Sequence, residues 1–106
     1  MPPPGDAAKG SAVYTTQACN TCHAADGKGD LGPNITMSVT AGLGSWTYQQ
    51  FLNAVRFGKD KDNVQLCVAM FQFSATDIND ASMADLYAFL KSQPISDVVN
   101  KGSYCP

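Results

Sequence analysis

Apolar positions recur at helical spacing in three stretches of the chain, and glycine-rich or unpatterned segments separate them. The first stretch predicts a helix over Asp6 to Thr16. Asp6 is its N-cap, Ala7, Ala8 and Lys9 are good helix formers, and Val13 and Tyr14 form an apolar face. Gly10, one turn before Tyr14, costs about 1 kcal/mol in a helix interior and points to a close helix approach. This helix is expected to run on into Cys19-Asn20-Thr21-Cys22-His23, with Cys19 near its end. A second helix starts at Trp46 with Thr47 as cap, buries Phe51, Leu52 and Val55, and stops at Gly58. The third is the best marked: Asn79 caps it, and Met83, Leu86, Tyr87, Phe89 and Leu90 recur up to Lys91 and Pro94. Ile78 and Met83 flank that cap in the positions of a hydrophobic staple. Residues 24–45 and 59–73 show no strand alternation and are expected as loops, and the tail from Ile95 has no pattern of its own and needs an anchor.

Composition narrows the class. The 106 residues make one domain with a modest core. Seven basic residues against nine acids, all of them Asp, leave a net charge of −2, which argues against a nucleic-acid partner. No stretch is apolar enough to span a membrane, and Met1 to Gly5 lacks the charged and apolar regions of a secretory leader. Residues 1–5 are expected as a disordered stub of a removed leader or a linker, and residues 6–106 as the folded domain.

The chemistry concentrates in Cys19–His23. Two thiols at this spacing followed at once by an imidazole form a covalent attachment site for c-type haem. Two thioether bonds would tether the haem edge through Cys19 and Cys22, and His23 would ligate the iron from one side. A zinc half-site would need two more ligands, but Cys67 and Cys105 are far apart and His23 is the chain's one histidine. A thioredoxin-like redox pair would want a βαβ context. One covalent haem is therefore expected, wrapped by loop 24–45. Gly32-Pro33 would bring a backbone acceptor to the free ring nitrogen of His23.

With one histidine, bis-histidine ligation within the chain is impossible, so a methionine, a weaker donor or nothing fills the other axial position. Met1 lies in the stub, Met83 is accounted for by the core stripe, and Met37 sits in a loop. Met70, in an irregular apolar segment between two helices, is the favoured ligand, with core filling as its alternative. Cys67 and Cys105 are an even remainder that fits a disulfide made in an oxidising compartment. Such a bridge would close a loop of about 38 residues, contribute on the order of 4 kcal/mol, and tie the tail to the Met70 segment.

These residues resemble class I cytochrome c, and more closely the cytochrome domains associated with bacterial dehydrogenases. Gly10 with Tyr14, and Leu86 with Phe89, resemble the family's crossed terminal helices. Gly32-Pro33-Asn34-Ile35-Thr36, Gly42 to Thr47, the run from Phe51 to Gly58, and Ala69-Met70 resemble the dehydrogenase-linked group. Phe71 stands where the family usually has proline, and the chain holds one haem motif where members of that group often hold two or three. The resemblance implies an all-α cytochrome c fold, three to four helices and long loops around one haem c. Cys19, Cys22, His23, Pro33, Trp46 and Met70 would contact the haem, His23 and Met70 would bind its iron, and Pro33 would present the carbonyl facing His23.

The function expected is one-electron transfer without catalysis, between a dehydrogenase and an oxidase or cytochrome acceptor, in the periplasm or another extracytoplasmic space. The chain would act as a monomer or a domain of a larger protein. Lys28, Lys59 and Lys61 could ring the exposed haem edge. The alternative is a haem sensor or peroxidase-like domain with an open or displaceable sixth position.

Overall fold

A computed structural model describes residues 4–66 and 72–100. The all-α expectation holds: the elements are α1 (Ala7–Thr16), α2 (Cys19–His23), α3 (Tyr48–Phe57) and α4 (Asp80–Ser92). Among the described residues the extended backbone makes one isolated antiparallel bridge, Lys59 with Gln65.

The pairing of α1 with α4 forms the frame. Asp6 caps α1 by accepting from the Ala8 and Lys9 amides, while its own amide donates to the Asp85 carboxylate at 2.8 Å. A Cβ on Gly10 would land on the Asp85 carbonyl and stand 2.8 Å from the Phe89 Cβ, so the helices cross here because residue 10 has no side chain. Gly5 also lies against α4, where a Cβ would collide with the Ala84 carbonyl. One turn beyond Gly10, the Tyr14 ring tilts onto Phe89 with centroids 5.1 Å apart.

On its other side α4 faces α3. Phe51 and Val55 are buried, and Tyr87 packs on Phe51 at 5.0 Å and edge-on to Tyr48 at 4.9 Å between centroids. Ile78 and Met83 are the staple expected across the Asn79 cap, and both are fully buried. Thr47 and Gln50 close a reciprocal capping box, so α3 starts at Tyr48 and Trp46 lies outside it, one residue before the cap. Gly58, in the left-handed region at φ 67°, ends the helix.

One expected continuity fails. The first helix does not run into the motif: it is capped at Gln17, and Ala18 takes a left-handed conformation at φ 60°. That conformation costs an L-residue about 1 kcal/mol or more, and it re-aims the chain so that residues 19–23 form a separate single turn. Hydrogen bonds across the break offset the cost. The Gln17 side-chain amide donates to the Asp77 carbonyl at 3.0 Å, and the Thr21 amide donates to Ala18 at 3.1 Å.

Candidate functional site

His23 ends α2 with its ring buried, 7% exposed. Its Nδ1 lies 2.8 Å from the Pro33 carbonyl oxygen. A carbonyl only accepts, so Nδ1 carries the hydrogen and Nε2 is left with its lone pair. Burial lowers the His23 pKa below the usual histidine value, and the bond to Pro33 opposes this as the smaller effect. A neutral, oriented imidazole is the form in which histidine binds a metal.

Loop 24–36 holds that ring from behind. The Gly32 amide donates to the Cys22 carbonyl at 2.6 Å, and the Gly29 amide donates to the His23 carbonyl at 2.9 Å. Gly32 is packed so closely on the imidazole that a Cβ there would stand 2.8 Å from Cε1 and 2.9 Å from Nδ1. The sequence expectation for Gly32-Pro33 is therefore met in its geometry. Tyr14 adds a contact that the pattern does not reveal: its hydroxyl donates to the Ala24 carbonyl, the residue after His23, at 2.5 Å.

Cys19 and Cys22 are both free thiols and half-buried, three residues apart on the same single turn. Cys19 packs against the core, and burial pushes its thiol pKa up to about 11. Trp46 is half-buried against the same core, its amide bonded to the Leu43 carbonyl at 3.0 Å. Of the other expected site residues, Cys67, Met70 and Cys105 lie outside the described residues. Met83 is a core residue at 0% exposure, and Met37 packs on the core. Lys28 pairs with Asp26 at 3.4 Å, and Lys61 donates to the Ser45 hydroxyl at 3.3 Å.

Immediately after Pro33 comes a polar cluster that the apolar pattern does not flag. Asn34, Thr36 and Ser38 are 1–3% exposed, more deeply buried than the apolar residues between them. The Asn34 amide group donates to the Ser96 and Val98 carbonyls at 2.8 and 2.9 Å, and its oxygen accepts from the Thr36 amide and hydroxyl at 2.9 and 2.8 Å. The Ser38 hydroxyl donates to the Asp97 carboxylate at 2.6 Å, and the Asn34 backbone amide to the Asn100 carbonyl at 2.9 Å. Through these bonds the loop after Pro33 anchors the tail. The signal available is a short alternation of Asn34, Thr36 and Ser38 with Ile35 and Met37, which turn to the core. The expectation of an unpatterned loop over 24–45 passes over it because glycines flank it on both sides.

Comparison with known proteins decides the family. The family model for cytochrome c matches residues 7–94. The chain belongs to the cytochrome c family. This cytochrome c is 33% identical over 99 residues to a nicotinate dehydrogenase subunit of Pseudomonas putida, covering 80% of the chain and 8% of that relative. It is 29% identical over 112 residues to a diheme cytochrome c-type protein of Cereibacter sphaeroides, covering 88% of the chain and 38% of the relative. Over 60 residues it is 37% identical to the fructose dehydrogenase cytochrome subunit of Gluconobacter japonicus, covering 57% and 12%. The chain thus spans well under half the length of each of these relatives. Membership implies covalently bound haem c and a role in electron transfer. The arrangement fits that group: two thiols and a buried, correctly protonated imidazole stand on one turn, braced by Gly32 and Pro33. Among the described residues no helix is long and apolar enough to cross a membrane.

Proposed function

We propose that this cytochrome c carries one electron at a time on a single haem c, between a dehydrogenase and an oxidase or cytochrome acceptor in an extracytoplasmic space. The observation that carries the reading is the 2.8 Å contact of the buried His23 Nδ1 with the Pro33 carbonyl, which readies Nε2 as an axial ligand. With haem bound, Cys19 and Cys22 would supply the two thioether links, and Met70 would supply the second axial ligand. Bound haem contributes an iron that cycles between Fe(II) and Fe(III).

The protein's share is to hold the ligand set still. His23 cannot turn, because Pro33 takes its Nδ1 hydrogen and Gly32 covers its ring. Small geometric change between oxidation states is what a carrier needs, and a rigid donor set favours it. Trp46 packs on the apolar core; with haem bound beside it, that surface would exclude water and raise the potential. A Cys67–Cys105 disulfide would strap the tail to the Met70 segment. With the haem attached, that bridge leaves no free thiol in the oxidised protein, and titration of two would contradict it.

The dehydrogenase side of the proposal draws on two relatives whose names are those of dehydrogenase subunits. Carbon monoxide tests the assignment as carrier. With both axial positions held, the reduced protein leaves its spectrum unchanged under carbon monoxide; ready binding would instead favour a sensor with an open sixth position.

A further inference from the structure

The carbonyl that orients His23 belongs to a residue whose successor is the most heavily bonded side chain of the loop. Asn34 is 3% exposed, and both its amide hydrogens and its oxygen are engaged. The two hydrogens go to the tail, at Ser96 and Val98. Its backbone amide, on the peptide bond whose oxygen accepts from His23, goes to the tail as well, at Asn100. A peptide bond is planar, so fixing its N–H fixes the direction of its C=O. The Asn34 N–H to Asn100 bond and the His23 to Pro33 bond are therefore the two ends of one rigid plate. Thr36 adds a second tie, exchanging hydrogen bonds with both the carbonyl and the amide of Ser96 at 3.2 Å.

We propose that tail residues 96–100 and Asn34 form a positioning device for His23, setting how strongly Pro33 accepts from Nδ1 and thereby the reduction potential. The inference rests on His23 being an axial ligand. A hydrogen bond from Nδ1 makes the imidazole a better electron donor at Nε2, which favours Fe(III) and lowers the potential. Freeing the tail lets the Pro33–Asn34 peptide rock, weakens that bond, and moves the potential upward.

The test uses the haem-loaded protein, followed by proton NMR in the oxidised state and by potentiometry. Two variants release the plate from different sides: Asn34→Ala, and a chain ending at Ile95. Cys105→Ser serves as control for the thiol that the shorter chain loses. The expected result is that the His23 Nδ1 hydrogen exchanges on the order of ten-fold faster in both variants. Their midpoint potentials rise, while the control matches the parent. Parent-like exchange and potential in both variants would overturn the proposal alone. Absence of an iron-shifted imidazole N–H signal from the parent would overturn the ligand assignment and the proposal with it.

Discussion

The Tyr14 hydroxyl donates to the Ala24 carbonyl at 2.5 Å, so the helix that packs on α4 is also bonded to the residue that follows His23. The site is thus hung on the helix crossing rather than on the loops alone. Burial, with the nearby Asp26 carboxylate as a smaller cause, pushes the Tyr14 pKa up, so the hydroxyl keeps its hydrogen and donates over the ordinary pH range. Tyr14→Phe keeps the ring on Phe89 and leaves the Ala24 carbonyl without its donor. The expected cost is about 1–2 kcal/mol, read from urea unfolding of the haem-loaded protein.

Gly10 makes that crossing possible. In Gly10→Ala the added methyl meets the Asp85 carbonyl and the Phe89 Cβ, and both belong to a helix that cannot yield locally. Better helix propensity returns about 1 kcal/mol, while overpacking costs roughly 1–3 kcal/mol and the displaced helices lose the Tyr14–Phe89 contact besides. The net expected loss is about 2 kcal/mol, with a lowered thermal midpoint as the simplest check.

Arg56 fastens the end of α3 to the segment leading into α4. Its guanidinium donates to the Phe73 and Ile78 carbonyls at 3.2 and 2.9 Å and to the Asp80 carboxylate at 2.9 Å. Asp80 is 96% exposed at its side chain, so the ion pair is worth little, and the two carbonyl bonds should dominate. Arg56→Met is expected to cost about 2–3 kcal/mol and Asp80→Asn less than about 1 kcal/mol, as paired denaturation curves would show. Equal losses would assign the stability to the ion pair instead.

Much of this was legible in the sequence, and the exceptions have physical causes. The caps at Asp6, Thr47 and Asn79 are local chemistry, and each was readable from a residue and its near neighbours. The Gly32-Pro33 approach to His23 could be anticipated because a ligating imidazole needs an acceptor. The break at Ala18 could not, since alanine favours continuing a helix and only the tertiary bonds of Gln17 and the motif turn outweigh it. The tail's attachment was missed for a similar reason. Asn34 meets Ser96 and Val98 across more than sixty positions of sequence, and no spacing rule connects them.

The central claim concerns the iron's two axial ligands, and the absorption of the oxidised protein tests it most directly. A methionine sulfur bound to Fe(III) gives a weak charge-transfer band at the red end of the spectrum. The account predicts that band in the parent and in Met37→Ala, and its loss in Met70→Ala with the haem still covalently attached. A band that survives Met70→Ala, or that is missing from the parent, would contradict it.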